Sequence, residues 1–395
     1  MRKLINILLF FCIVLSFQIV PDQTAVAQTE RYPREASLKS EFFDGPYILY
    51  QNENAIIINT EESDGKMVLK TETVRKSDLN EISVYKSGFM PRKFKVKLKD
   101  QINKAPVIYS EPENIFALSD IEGNFNVCVN LLQQHGIIDA DLNWTFGKGH
   151  LVINGDVFDR GNHVTELLWL IYKLEDLAKA DGGMVHLIIG NHETLNLRGD
   201  LRYLNTKYTK VDTLMQKERG QSYTDLYGKD SELGRWLRAK NVIEVIGDNI
   251  FVHGGISPEL LDSGLSLEQV TSHVMNAVEK TRDEYNEFET LVMRSFGPLW
   301  YRGYFREIEN GIPYTDQILE QTLSRFNAKY IVVGHTVVKK PKRIFNGRIA
   351  AIDVVPPKDH QIRIPLLTAY GIFIRGDNFT LADENGNLEL MIIEK

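Results

Sequence analysis

Five short stretches of the chain gather carboxylates, an amide, imidazoles and a guanidinium: Asp120-Ile121-Glu122-Gly123-Asn124, Gly155-Asp156-Val157-Phe158-Asp159-Arg160-Gly161, Gly190-Asn191-His192-Glu193, His253-Gly254-Gly255 and Gly334-His335-Thr336. That set suits phosphoester hydrolysis, which needs a nucleophile, neutralisation of charge on phosphorus, and a proton for the leaving oxygen. Two divalent metals a few ångströms apart can provide the first two. Asp120, Glu122, Asp156, Asn191, His253 and His335 supply the oxygen and imidazole donors for them. Asp156 is the natural bridging carboxylate, because Gly155 before it permits a tight approach. Asp120 and Glu122 sit two apart, so an extended strand end projects both to one side. Asn191 offers a neutral amide oxygen, which leaves the adjacent His192 for proton transfer. Asp159 can orient that imidazole and raise its basicity, and Arg160 can fork onto phosphate oxygens. A lone Asp after a strand more often caps a turn, and a lone His is usually a satisfied structural residue. The argument therefore rests on the set, and His135, His150, His163, His186, His273 and His360 are read as structural.

Each cluster follows a short apolar run: Ile115-Phe116-Ala117-Leu118, Leu151-Val152-Ile153, His186-Leu187-Ile188-Ile189, Ile250-Phe251-Val252 and Ile331-Val332-Val333. Continuous runs of that length predict buried strands, and polar side chains just past them collect along one sheet edge, where α/β folds build their sites. Amphipathic helices are expected at Asn126–Gln134, Val164–Ala180 and Ser266–Lys280. Strand, polar turn and helix recur, as in α/β architecture.

Ahead of this region, Tyr47–Tyr50, Ala55–Ile58, Met67–Lys70 and Phe94–Leu98 predict strands, with turns at Asn52-Glu53-Asn54 and Ser63-Asp64-Gly65. They mark a small β-rich appendage, folding alone or extending the main sheets. The segment Leu195–Trp236 interrupts the rhythm with charged, Tyr and Gly residues. It is a candidate lid or substrate-facing insertion, with a solvated helical excursion as the alternative. The expected division is 1–27 leader, 28–110 linker and appendage, and 111–395 main domain, with Glu384-Asn385-Gly386-Asn387 turning a hairpin in the tail.

The N-terminus carries Arg2 and Lys3, an apolar stretch from Leu4 to Val20, and Ala25-Val26-Ala27 before Gln28, the three parts of a cleavable secretory leader. The chain is accordingly expected to be exported, periplasmic or secreted, without a stable membrane span once the leader is removed. Loss of Cys12 with the leader would leave Cys128 as the single cysteine, so stability has to come from the core and not from a disulfide. A formal net charge of −7 over 395 residues argues against sequence-independent nucleic-acid binding. Oligomeric state is not legible.

Taken together and in order, the clusters resemble the phosphoprotein phosphatase lineage of calcineurin-like metallophosphatases. Gly155–Gly161 matches the family's Gly-Asp-x-x-Asp-Arg-Gly in full, and Gly190–Glu193 its Gly-Asn-His-Glu. Gly297-Pro298-Leu299-Trp300-Tyr301-Arg302-Gly303 and Asn196-Leu197-Arg198-Gly199-Asp200 resemble the bacterial Shewanella-like branch, and the likeness covers roughly Glu113 to Asp353. The resemblance implies two packed mixed β-sheets flanked by helices. It implies that Asp120 and residue 122 bind one metal, that Asp156 bridges, and that Asn191, His253 and His335 hold the other. His192 would be the general acid paired with Asp159, and Arg160 with Arg302 would hold the phosphoryl group. The implied activity is a phosphomonoesterase acting on phosphoserine, phosphothreonine or phosphotyrosine of a phosphoprotein, by direct attack of a metal-bridging hydroxide. A hydrolase of small phosphates, such as dinucleoside polyphosphates or nucleotide sugars, and a noncatalytic metal-binding envelope adaptor are the rivals. Glu122 stands where the family usually has His. Its harder oxygen donor and extra charge point to manganese, with magnesium or iron next and zinc less favoured.

Overall fold

The computed structural model describes residues 41–88, 90–355 and 368–394. The leader, most of the linker, Cys12 and His360 lie outside the described residues.

The first described strands, β1 (Asp44–Gln51), β2 (Asn54–Ser63) and β3 (Lys66–Arg75), form an antiparallel sheet in that order, and β4 (Glu81–Lys86) pairs with β5 (Arg92–Lys97) as a hairpin. Neither joins the main sheets. The main body comprises β6 (Ile108–Tyr109), β7 (Ile115–Leu118), β8 (His150–Ile153), β9 (Met184–Leu187), β10 (Ile243–Ile246) and β11 (Asn249–Val252). It is completed by β12 (Tyr330–Val333), β13 (Lys342–Ile344), β14 (Ile349–Ala351), β15 (Tyr370–Arg375), β16 (Asn378–Asp383) and β17 (Leu388–Leu390). They form two six-stranded sheets, ordered β13-β14-β12-β11-β10-β6 and β17-β16-β15-β7-β8-β9. Both are mixed: β7, β8 and β9 run parallel, as do β11, β12 and β14, and antiparallel strands complete each sheet.

The continuous apolar runs follow from burial on both faces. Ile115 and Ala117 of β7 and Val152 of β8 meet Phe251, Val332 and Ala350 of the other sheet. The intervening Phe116, Leu118, Leu151 and Ile153 face the outer core. There α1 (Phe125–Gln134) and α2 (Val164–Ala180) lay down apolar stripes, such as Phe125, Cys128, Val129 and Leu132 at helical spacing. A buried polar bridge also joins the sheets, since His186 Nδ1 lies 2.6 Å from Glu244 and its Nε2 3.0 Å from His150 Nδ1. These two histidines are structural, as the sequence suggested.

The segment after the third cluster folds into α3 (Asn191–Leu197), α4 (Thr206–Arg219) and α5 (Glu232–Arg238). Its Tyr208, Tyr223 and Tyr227 are buried, and Tyr227 packs edge-on against Tyr47 of β1. Lys207, fully buried, holds this junction together: its Nζ lies 3.0 Å from Asp44 of β1 and 3.4 Å from Glu166 of α2. Lys207→Met would leave Asp44 buried without its cation and Glu166 with only His163, 3.1 Å away. The expected loss is about 3–5 kcal/mol of unfolding free energy, as for other broken buried pairs. Urea denaturation checks this, and a loss under about 1 kcal/mol, the range of a surface pair, would remove Lys207 from that role.

Candidate active site

Every cluster begins one to three residues beyond a strand's C-terminal end. Asp120 follows β7, Asp156 follows β8, Asn191 and His192 follow β9, His253 follows β11 and His335 follows β12. Packing the two sheets face to face brings these ends to one edge. The turns are sharp: Asp120, Glu122, Asp156, Asp159, Arg160 and His335 all adopt left-handed backbone, with φ between +50° and +71°. Non-glycine residues adopt that region rarely, and such strain is sustained where the surroundings fix the chain. Gly155 has φ +89°, and a Cβ there would stand 2.5 Å from His253 Nδ1, so the approach requires glycine.

Glu193, quoted in its motif but given no role from sequence, grips this loop. Its carboxylate accepts from the backbone N–H groups of Asp156 at 2.9 Å, Val157 at 2.7 Å, Phe158 at 3.3 Å and Gly190 at 2.7 Å. Asn154 provides a second support. Its carbonyl accepts from His253 Nδ1 at 2.8 Å, which leaves the Nε2 lone pair for a ligand, the arrangement usual behind a metal-binding imidazole.

Asp156, His253 and His335 are buried with one ligand atom of each within 4.8 Å of the others. Asn191 Oδ1 lies 3.1 Å from His253 Nε2, and the Asp156 carboxylate also lies 3.1 Å from it. Asp120 joins the set, accepting from Ser119 Oγ at 2.6 Å and from the His335 backbone N–H at 3.2 Å. Two observations fit this set to divalent cations. His335 Nε2 is buried with no hydrogen-bond partner, and burial, His253 and Arg302 push its pKa down to about 2, so it presents a neutral imidazole. Asp156 and Asp120 outweigh burial and raise the His253 pKa to about 10, an attraction for positive charge at Nε2 that a bound cation would satisfy in place of the proton. Clustered carboxylates thus demand positive charge at this spot.

Asp353, two residues beyond β14, is a further buried carboxylate that the sequence reading assigned no role. Burial pushes its pKa up to about 6, against the pull of His253, and the Asp156 charge adds to the rise. The same rule, a polar residue just past a short apolar strand, applied to Ile349-Ala350-Ala351 would have found it.

His192 Nδ1 lies 2.6 Å from Asp159 Oδ2, and its Nε2 lies 3.8 Å from Asp156 Oδ2. Burial works against the imidazolium, but Asp156 and Asp159 prevail and raise its pKa. Tyr203 covers the ring at 5.1 Å between centroids. Arg302 Nη1 donates to the His335 carbonyl at 2.8 Å and to Thr336 Oγ1 at 3.3 Å, and Trp300 packs edge-on against His335. Tyr301 and Tyr304 are buried, leaving Trp300 as the aromatic of that stretch on the cleft. Glu122 and Arg160, given separate roles from sequence, are ion-paired with each other. The loop Gly161 N–H to Glu122 carbonyl bond, 2.9 Å, places both residues side by side.

The family model for calcineurin-like phosphoesterases matches residues 114–339. The chain belongs to the calcineurin-like phosphoesterase family. The chain is accordingly a metal-dependent phosphoester hydrolase built on two mixed sheets. Among solved structures, the chain is similar to a cold-active protein-tyrosine phosphatase of a psychrophilic Shewanella species. The TM-score is 0.75 at 33% identity, covering 88% of this chain and 99% of that one. Among curated proteins it is similar to Shewanella-like protein phosphatase 1 of Plasmodium berghei, 32% identical over 231 residues. It is also similar to Shewanella-like protein phosphatase 2 of Arabidopsis thaliana, 24% identical over 269 residues. These matches take in 56% and 58% of this chain, and span 60% and 67% of the respective relatives.

Proposed function

We propose that this calcineurin-like phosphoesterase is an exported two-metal phosphomonoesterase that dephosphorylates proteins. The observation that carries the reading is the His192–Asp159 pair set at 2.6 Å beside the buried Asp156, His253 and His335 cluster. A metal site with a merely structural role has no use for an oriented acid. The names of the relatives, protein phosphatases and a protein-tyrosine phosphatase, support phosphoprotein as the substrate.

Asp156 would bridge, with Asn191, His253 and His335 holding one ion and Asp120 with Glu122 the other. When bound, two divalent ions supply Lewis acidity at the phosphate oxygens and lower the pKa of water to near neutrality. Manganese is the proposed metal, since Asp120, Glu122, Asp156 and Asn191 give more oxygen than imidazole donors. His192, oriented by Asp159, protonates the leaving oxygen from Nε2. Arg302 is anchored through Nη1 by the His335 carbonyl and Thr336. The rest of its fork is left for the equatorial oxygens of the phosphoryl group. Arg160 would join it by exchanging the Glu122 carboxylate for phosphate. Export rests on Arg2-Lys3, the apolar stretch Leu4–Val20 and Ala25-Val26-Ala27, and the lid role of 195–236 on the cover that Tyr203 gives His192.

Parallel assays on phosphotyrosine and phosphoserine peptides, diadenosine tetraphosphate and a nucleotide sugar test the substrate class. Higher kcat/KM on peptides supports it, and hydrolysis confined to the nucleotides would replace it. Glu122→His is expected to release Arg160 and move activity across a divalent panel toward zinc. An unchanged metal profile would separate Glu122 from metal choice.

A further inference from the structure

Beside Trp300 and Arg302 opens a cleft of about 1100 Å³ whose walls carry Arg198, Arg282, Arg294, Arg302 and Arg306 against two carboxylates, Glu307 and Glu309. A second hollow of about 520 Å³ shares Arg198 and Arg282 with it and adds Arg202 and Lys280. The two hollows are therefore one groove. Its larger hollow is lined by Arg302, the arginine tied to the His335 carbonyl, so the groove opens beside the reacting centre.

Its charge is unusual for a chain of formal net charge −7. Arg198 and Arg202 share Asp200 at 3.0 and 2.8 Å, and Lys280 pairs with Glu289 at 2.6 Å. Among the described residues, Arg282, Arg294 and Arg306 have no carboxylate within ion-pair distance. Guanidiniums left without partners along a groove favour an anionic occupant, and their planar forks match carboxylate and phosphate.

The size and spread of that charge exclude the phosphoryl group as the sole occupant. A small-molecule pocket is typically about 300–1,000 Å³ and concentrates its polar groups, whereas here the cations are strung along two hollows. In the larger hollow Tyr285, Met293 and Phe296 give apolar footing for side-chain stems. We propose that this groove binds the segment flanking the scissile phosphate of a phosphopeptide, and that it selects acidic or additionally phosphorylated flanks. The assignment rests on the protein-phosphatase reading above and names the substrate class within it.

The test uses the full chain. Fluorescence anisotropy with the His192→Asn variant measures binding of a phosphotyrosine peptide with glutamate flanks and of the same peptide with glutamine flanks. The acidic peptide is expected to bind at least about tenfold tighter at low salt, with the preference fading as ionic strength rises. Arg282→Ala/Arg294→Ala/Arg306→Ala, made in the same background, should reduce the preference below about twofold, consistent with the loss of charge-assisted contacts. The same triple substitution in the otherwise wild-type chain should leave p-nitrophenyl phosphate turnover unchanged. Equal affinity for the two peptides, or a preference that survives the triple substitution, would overturn the proposal. Competition by ATP as strong, mole for mole, as that of the acidic peptide would assign the groove to small polyphosphates and overturn it likewise. Anisotropy needs no turnover, so a wild-type chain inert toward p-nitrophenyl phosphate would count against the proposed function while binding alone decides the groove.

Discussion

His192→Asn is expected to lower kcat on a phosphoserine peptide by about 10²–10⁴-fold, the usual contribution of a positioned general acid, and on p-nitrophenyl phosphate far less. An alkoxide is a poor leaving group and needs its proton in the transition state, whereas a nitrophenolate departs without one. Geometry places the role on Nε2, because Nδ1 is committed to Asp159 at 2.6 Å. The pKa of His192 is raised: burial opposes protonation, but Asp156 and Asp159 outweigh it. The acid is thus present through neutral pH, and activity on alkyl phosphates declines as pH rises through that elevated value. Asp159→Asn removes one of the raising influences, so the alkaline limb moves to lower pH. Equal losses on both substrates, or a limb that does not move, would take the acid role away from His192.

Asp156→Asn is expected to weaken metal affinity by more than the roughly 10–100-fold typical of outer-shell changes, and to abolish turnover on both substrates. This carboxylate contacts His253 at 3.1 Å, stands 3.8 Å from His192, and accepts from the His192 backbone N–H at 3.0 Å. Its own pKa is lowered although burial pushes the other way, because His253 and His192 hold it ionised. An amide keeps the shape and loses the charge. Ligand linkage supplies a check that does not depend on catalysis: added metal should raise the Tm of the wild-type chain and leave that of the variant nearly unmoved. A variant stabilised by metal as strongly as wild type would remove Asp156 from the bridging position.

The parts legible in the sequence share a physical cause. Strands buried on both faces leave continuous apolar runs, and the residue types just beyond Leu118, Ile153, Val252 and Val333 are those that chemistry requires. Helix periodicity located Val164–Ala180 at its observed bounds, because one stripe faces the core throughout. What escaped depends on proximity across the chain. Glu122 and Arg160 lie in different loops, and their ion pair arises because left-handed turns bring those loops together. Asp353 follows an apolar run, Ile349 to Ile352, of the same length as the others, but no family-like motif surrounds it to single it out. β4, as long as its partner, alternates Ile82 and Val84 with polar residues, a period-two pattern that offers only two apolar positions to read. Tyr208, Tyr223 and Tyr227 looked compatible with a solvent-facing insertion, and composition alone could not place them in a core built with Tyr47. The basic groove was invisible for the same reason, its arginines coming from positions between 198 and 306.

The most direct test of the central claim is p-nitrophenyl phosphate hydrolysis by the metal-stripped full chain as manganese, magnesium, iron or zinc is titrated back. The account predicts that turnover returns with metal and saturates at two equivalents per chain, with none returning in Asp156→Asn. Tight uptake of metal without hydrolysis under any ion would contradict it and make the fold a metal-binding adaptor.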